Sequence, residues 1–135
     1  LFRETPEFIK YVDSSLSPNL LYVMDINILG DKLINILNNT NDSVELDYQK
    51  NKIHDYIFIC FMLGNDFIPH IPCINIRTHG IDHLMDAYKI TIGKNKQNIT
   101  DGTKINWSVF RKLIKHLSDN ELEYYKLEYK LRENI

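Results

Sequence analysis

The residues best suited to metal binding or catalysis lie in one mostly apolar segment, Phe61-Met62-Leu63-Gly64-Asn65-Asp66-Phe67-Ile68-Pro69-His70-Ile71-Pro72. A carboxylate among large apolar side chains is costly to bury unless it is paired, hydrogen-bonded or bound to a cation. Asp66 is therefore a candidate ligand of Mg²⁺, which prefers oxygen ligands, and Asn65 would orient it or hold a metal-bound water. The alternative, which composition alone favours, is that Asp66 caps the turn after Gly64 by accepting backbone N–H groups near Ile68, with Asn65 a simple turn residue.

A second potential metal site has less regular spacing. His70, Cys73, His79 and His83 fall close together in the sequence, and the last two are one helical turn apart. Structural zinc sites use four ligands in a tetrahedron, commonly with more regular paired spacings. We therefore expect His70 to pack in the proline turn and to hydrogen-bond the backbone instead.

Apolar periodicity predicts the elements that come before this segment. Residues 20–24 are expected to form a buried strand or extended segment, which enters a helix at Asp25, a good N-cap. Helical spacing of apolar residues continues to Leu37. The run of Asn, Thr, Asp and Ser at 38–43 predicts a loop, because these side chains hydrogen-bond their own backbone.

The next predicted helix is central and buried, because its second half is apolar on all sides. Gly64 is expected to end it, and Pro69 and Pro72 exclude a regular helix immediately afterwards. The expected apolar stripe of this helix is Ile53, Tyr56, Ile57, Cys60 and Phe61.

Three further stretches complete the chain. Residues 81–88 predict a short amphipathic helix, and the Gly-, Asn-, Lys- and Thr-rich stretch 90–104 predicts an exposed connection. Asn106 is expected to cap the next helix, and Ser118 with Glu121 matches a capping box for the last one.

The predicted fold class is mainly α, an irregular helical domain of about five helices with at most one short strand. We expect residues 1–135 to form one domain. Its metal-site part would be residues 1–105, and residues 106–135 would form a helical hairpin.

Composition excludes several classes of protein. The 135 residues are 44% hydrophobic and 25% charged, with a formal net charge of -2. These values are typical of a globular domain rather than a disordered or disulfide-rich chain. The near-neutral charge argues against a free-standing protein that coats nucleic acid. Without an apolar run of membrane-spanning length or a signal peptide, we expect an intracellular location, cytoplasmic or nuclear, and no membrane partner. Because the first residue is Leu, we also expect a piece of a longer protein.

Two surface features leave nucleic-acid contact open as an alternative. The lysines Lys94, Lys96, Lys104, Lys112 and Lys115 predict a solvated face first and an RNA-backbone contact second. The tyrosines Tyr124, Tyr125 and Tyr129 could stack on bases, but their spacing suits helix packing better.

The segment Gly64–Pro72 closely resembles the Gly-Asn-Asp-Phe-Leu-Pro-His-Leu-Pro signature of the XRN-type 5′-to-3′ exoribonucleases. Upstream, Asp55–Phe61 is similar to the helix that leads into this signature. Downstream, Ile74–Arg77 and the helices from Trp107 onward follow the family's pattern. The resemblance covers most of residues 20 to 130.

The resemblance implies a nuclease related to the flap endonucleases, in which an acidic cluster holds two Mg²⁺ or Mn²⁺ ions. Asp66 stands where the family has one catalytic metal ligand. The other acidic ligands, and the pocket for a 5′-phosphate, would lie in the N-terminal nuclease segment of the same chain. The implied substrate is RNA with a 5′-monophosphate, and this segment alone should be inactive. The alternative is a non-catalytic helical scaffold or interaction module in which Asp66 is a structural turn cap.

Overall fold

The computed structural model describes residues 15, 17, 20, 23–38, 46–93, 95 and 97–134, without the side chains of 46–50. These ranges contain five α-helices and no strand, which confirms the predicted fold class. The helices are α1 (Ile26–Asn38), α2 (Leu46–Cys60), α3 (Gly80–Tyr88), α4 (Trp107–Asp119) and α5 (Glu121–Glu133). Shorter elements are 3-10 turns at Phe61–Leu63 and Ile76–Thr78, a π-helical turn at Lys89–Gly93, and one antiparallel bridge between Thr100 and Ile105.

The chain divides into two compact units, residues 1–32 and 33–135. The predicted division into parts 1–105 and 106–135 stays a prediction. None of the described helices combines the length and the hydropathy that a membrane span requires.

The start of α1 lies in the first unit. As predicted, the Asp25 carboxylate caps it, accepting hydrogen bonds from the backbone N–H groups of Asn27 at 2.9 Å and Ile28 at 3.2 Å. The sequence predicts a buried strand or extended segment just before α1. The burial and the strand are wrong for Val23 and Met24, which are exposed and belong to no strand. Residues 21 and 22 lie outside the described residues, as do residues 39–43 of the predicted loop.

The core of the second unit draws on four helices and the turns between them. Tyr88, Ile92 and Ile99 are fully buried although they lie on or beyond the end of α3. Burying such side chains is the main favourable contribution to folding. The core residues are Leu37, Ile59, Cys73, Ile74, Leu84, Ala87, Tyr88, Ile92, Ile99, Val109, Leu113 and Leu117.

The buried face of α2 differs from the predicted stripe. Ile57 is 50% exposed and Phe61 is 53% exposed, whereas Lys52, Asp55 and Ile59 are completely buried. The spacing of three and four residues places these three side chains on one helix face. Two charged side chains can lie there because each has buried hydrogen-bond partners, which a count of apolar residues does not reveal.

The predicted exposed connection at 90–104 is also wrong in part. The chain continues from α3 into the π-helical turn, and Ile92, Gly93 and Ile99 are buried. A Cβ added at Gly93 would lie 2.3 Å from the Leu37 carbonyl oxygen, so this close approach to α1 requires glycine.

At the C-terminal end, one predicted cap is confirmed and one is wrong. The Asn106 side chain accepts a hydrogen bond from the Val109 backbone at the start of α4. The capping box at Ser118 does not form, because α4 continues to Asp119. Asn120 separates the helices and donates a side-chain hydrogen bond to the His116 carbonyl at 2.8 Å.

Candidate metal-binding turn

The candidate site begins where α2 ends. After α2, the chain makes one 3-10 turn and stops at Gly64, whose φ of 81° and ψ of 167° lie in a region that is essentially restricted to glycine. A Cβ at this position would lie 2.6 Å from the backbone nitrogen of His70 and 2.9 Å from the backbone carbonyl oxygen of Ile68. The glycine therefore ends the helix, as the sequence predicted, and also allows the chain to fold back on itself directly afterwards.

Asn65 holds the turn that follows. Its side-chain oxygen accepts hydrogen bonds from the backbone N–H groups of Phe67 at 2.8 Å and Ile68 at 2.9 Å. Its own N–H donates to the Ile68 carbonyl at 2.8 Å. The turn-capping role that the alternative interpretation gave to Asp66 thus belongs to Asn65.

Backbone hydrogen bonds close the base of this turn. The Ile71 N–H donates to the Met62 carbonyl at 3.1 Å, so the chain re-enters beside the point where it left. The His70 ring nitrogen Nδ1 lies 2.8 Å from the Ile71 carbonyl, which confirms the expected contact of this histidine with the backbone. Residues 62–71 therefore form one closed loop, which we call the Asp66 turn.

Asp66 itself projects from this loop into solvent. Within the described part of the chain, its carboxylate forms no hydrogen bond and no ion pair. The premise that Asp66 is buried among apolar neighbours is wrong, so in this chain water solvates its charge and no cation is needed to offset a burial cost. The carboxylate oxygens are free to bind a cation, as a metal ligand must be.

The described residues supply only part of any metal site. They contain no group of three or more His, Cys, Asp or Glu side chains that could share one ion. His79 instead lies 3.4 Å from Asp82, and the His83 ring packs against Tyr124 with 4.7 Å between ring centroids. The zinc interpretation is therefore not supported, whereas the exposed Asp66 carboxylate offers the oxygen atoms that a hard cation prefers.

An open apolar groove of about 330 Å³ runs beside the Asp66 turn. Phe67, within the Asp66 turn, is 93% exposed. Burial raises the pKa of the Cys60 thiol, so this side chain is not activated as a nucleophile. The groove is lined by Tyr56, Ile57, Cys60, Phe61, Gly64 and Asn65.

The sequence interpretation missed a buried polar cluster between α2 and α3, formed by Lys52 and Asp55 of α2 and Tyr88 of α3. The Tyr88 hydroxyl donates to Asp55 Oδ2 at 2.5 Å, and Lys52 Nζ donates to the Tyr88 oxygen at 3.0 Å. Lys52 and Asp55 are three residues apart and both face inward, and that spacing is the only signal the sequence carries.

The predicted basic patch is solvated where the structure describes it. Lys104, Lys112 and Lys115 are exposed, while Lys94 and Lys96 lie outside the described residues. Lys115 pairs with Asp119 at 2.7 Å on the same helix, an arrangement common on solvated helix surfaces. Of the three tyrosines, Tyr124 and Tyr125 are half-buried against the core, as helix packing predicted, and Tyr129 is 69% exposed.

The fold and this turn define the class of protein. Residues 46–134 match the Xrn1 helical domain family, and the chain therefore belongs to that family. This match includes the whole Asp66 turn and confirms the resemblance recognised in Gly64–Pro72.

The chain is also similar to individual proteins. The chain is 36% identical to 5′-3′ exoribonuclease 2 of Kluyveromyces lactis over 107 residues, which is 78% of this chain and 11% of that protein. It is 28% identical to the 5′-3′ exoribonuclease 2 homolog of Drosophila melanogaster over 110 residues, 82% of this chain and 12% of the relative. For 5′-3′ exoribonuclease 2 of Arabidopsis thaliana, the identity is 39% over 74 residues, 55% of this chain and 7% of that protein. The chain thus spans about a tenth of the length of these relatives, and no solved structure matches it significantly.

Proposed function

We propose that this chain is part of a 5′-to-3′ exoribonuclease that hydrolyses RNA carrying a 5′-monophosphate, and that Asp66 is one ligand of its catalytic metal ions. The relatives that match most of the chain are named 5′-3′ exoribonucleases. The observation that carries the proposal is the Asp66 turn. It holds an exposed carboxylate that no cationic side chain among the described residues pairs with, on a loop fixed by Gly64 and Asn65.

The chemistry follows from what the turn presents. Asp66 would help to hold a pair of divalent ions, and the chemistry that such a pair would supply is water activation and charge stabilisation at the scissile phosphate. Asp66 would supply one ligand, and its position depends on the hydrogen bonds that the Asn65 side-chain oxygen accepts from the N–H groups of Phe67 and Ile68. The remaining acidic ligands would come from the N-terminal nuclease segment of the full protein. We therefore expect the 135-residue chain to be inactive by itself.

The alternative, a non-catalytic scaffold, assigned Asp66 to capping the turn. The capping hydrogen bonds go to Asn65, and replacing an exposed Asp66 should cost little stability. For a folded variant at Asp66, the exoribonuclease function therefore predicts a loss of activity, whereas the scaffold function predicts no change.

The decisive experiment is Asp66→Asn in the full-length protein. With Mg²⁺ and 5′-monophosphorylated RNA, we expect nucleotide release to fall by roughly a hundredfold or more, since a metal ligand is lost. The free energy of unfolding should change by less than about 0.5 kcal/mol, as for other exposed sites. RNA with a 5′-hydroxyl, used in parallel, tests the requirement for the 5′-phosphate.

A matched control is Asp82→Asn, which removes another exposed carboxylate near the same part of the chain, on α3. This variant should retain full activity. Activity of the Asp66→Asn protein equal to that of Asp82→Asn would overturn the proposed metal role and favour the scaffold.

A further inference from the structure

The buried polar cluster holds a backbone segment that belongs to no helix or strand and ends at the isolated bridge of Thr100 with Ile105. Asp55 Oδ2 accepts from the Ile99 N–H at 3.0 Å, and Oδ1 accepts from the Thr100 N–H at 2.9 Å. These two residues lie 44 and 45 positions after Asp55. One carboxylate on α2 therefore fixes two successive backbone amides of residues 97–100, which we call the 97–100 segment.

A second contact reaches the same segment through Lys52. Its Nζ donates to the Gln97 carbonyl at 2.9 Å and to the Tyr88 hydroxyl at 3.0 Å. The Tyr88 hydroxyl in turn donates to Asp55. Tyr88 thus connects the ammonium and the carboxylate, and the two charged groups hold both ends of the 97–100 segment.

We propose that the buried polar cluster is a proton-sensitive latch, which holds the 97–100 segment against α2 while Asp55 is ionised and releases it when Asp55 is protonated. The three groups bonded to this carboxylate, the Tyr88 hydroxyl and the N–H groups of Ile99 and Thr100, are all donors. A carboxylate is an acceptor only, whereas a carboxylic acid carries a proton that it must itself donate. The Tyr88 hydroxyl can also accept, but the N–H groups of Ile99 and Thr100 cannot, and one of them faces each carboxylate oxygen. A proton on either oxygen therefore sets an O–H donor against a backbone N–H donor in a site without solvent.

Among the residues that the structure describes, the titratable side chains that face Asp55 from the elements packed against it are those of Lys52 and Tyr88. On the same helix, Lys52 faces Asp55 and favours its ionised form. From α3, Tyr88 contributes a hydroxyl, and the 97–100 segment, Gln-Asn-Ile-Thr, contains no titratable side chain. His54, the neighbour of Asp55, is exposed and lies against Gly102 instead.

Burial sets the range in which the latch responds. It raises the pKa of Asp55 above its ordinary value, while the hydrogen bonds from Tyr88, Ile99 and Thr100 and the charge of Lys52 oppose this shift. Protonation therefore begins at milder acidity than for an exposed aspartate. Beyond its bonds to Asp55 and Lys52, the backbone of the segment is held by nearby residues, through the bridge between Thr100 and Ile105 and the hydrogen bond from the Asn106 N–H to the Ile99 carbonyl at 2.7 Å. Opening should therefore stay local to residues 97–106 and precede unfolding of the helices.

Hydrogen–deuterium exchange with mass spectrometry on the intact protein tests this proposal. Exchange of peptides covering 97–104 is divided by the intrinsic rate at each pH. In the wild type, protection should fall roughly tenfold between about pH 7 and about pH 4, since a buried hydrogen bond is lost. Peptides covering 109–117 in α4 serve as the internal control and should keep their protection.

Two variants make the result specific. In Asp55→Asn, protection of 97–104 should be low at both pH values and independent of pH. Tyr88→Phe should lower protection in the same peptides. If either variant does not fold, the pH dependence of exchange in the wild type still tests the proposal. Wild-type protection that does not change with pH, or a pH dependence that survives in Asp55→Asn, would overturn the latch. So would a simultaneous loss of protection in 109–117, because opening would then be global unfolding.

Discussion

The Tyr88 hydroxyl on α3 donates a hydrogen bond to the Asp55 carboxylate on α2, with 2.5 Å between the two oxygens. Both side chains are completely shielded from solvent. This bond joins two helices in the core of the second unit through polar atoms, and an unsatisfied partner there would be costly.

The first prediction concerns this bond. Tyr88→Phe keeps the ring but removes the hydroxyl, so Asp55 loses a donor and Lys52 loses an acceptor. We expect the free energy of unfolding to fall by about 1–3 kcal/mol, the usual cost of a buried polar group left unsatisfied. Urea denaturation measures this change. Tyr129→Phe, which alters an exposed tyrosine, should change stability by less than about 0.5 kcal/mol, and an equal effect of the two variants would contradict the role of the bond.

The second prediction concerns the pH dependence of stability. Burial lowers the pKa of Lys52 from its ordinary value of 10.5 to about 8, against the opposing charge of Asp55. Between these values the unfolded chain binds more protons at this site than the native chain, so the contribution of Lys52 to stability rises with pH. Below a pH of about 8, Lys52 is protonated in both the native and the unfolded chain. The full free-energy cost of burying its ammonium group then remains.

Comparison with Lys52→Met measures this contribution. The wild type should gain stability relative to Lys52→Met as the pH rises from about 8 to about 10.5. Urea midpoints at several pH values in both proteins give the difference. Parallel stability curves over that range would show that the buried amine has an ordinary affinity for protons.

The third prediction concerns the glycine of the Asp66 turn. Gly64→Ala places a Cβ 2.6 Å from the His70 nitrogen at a φ of 81°, and such strain costs about 1–3 kcal/mol. In the full-length protein, we expect lower stability together with a loss of RNA hydrolysis. Gly102→Ala is the matched control, because Gly102 also has a positive φ, 94°, but lies outside the turn. It should lower stability and leave activity per folded molecule unchanged. Full activity in Gly64→Ala would show that RNA hydrolysis does not depend on the conformation of the Asp66 turn.

The fourth prediction separates two roles of Asn65. Its side chain accepts two backbone hydrogen bonds, and aspartate can accept the same bonds whereas alanine cannot. If Asn65 acts by shaping the turn, Asn65→Ala should lower nuclease activity and Asn65→Asp should largely restore it. Loss of activity in both variants would instead indicate that the amide N–H₂ is needed, as for a contact with a metal-bound water. Initial rates at several Mg²⁺ concentrations, normalised to folded protein, distinguish these cases.

Local signals in the sequence were sufficient for much of the fold. The helical class and the caps at Asp25 and Asn106 follow from short-range patterns that operate in any context. The stop at Gly64 follows from the conformational freedom of glycine. The family was also evident from the nine residues Gly64–Pro72, and the match over 46–134 confirms it.

The tertiary structure decided which side chains are buried. The sequence pattern predicted that Ile57 and Phe61 are buried and did not predict burial of Lys52 and Asp55. In the structure, Ile57 and Phe61 are exposed, whereas Lys52 and Asp55 are buried. The same applies to Asp66, which is exposed at a turn capped by its neighbour. Helix periodicity shows that one face of α2 is buried but not which one. That choice depends on hydrogen-bond partners from Tyr88 and residues 97–100, more than 30 positions away, and only folding brings these partners together.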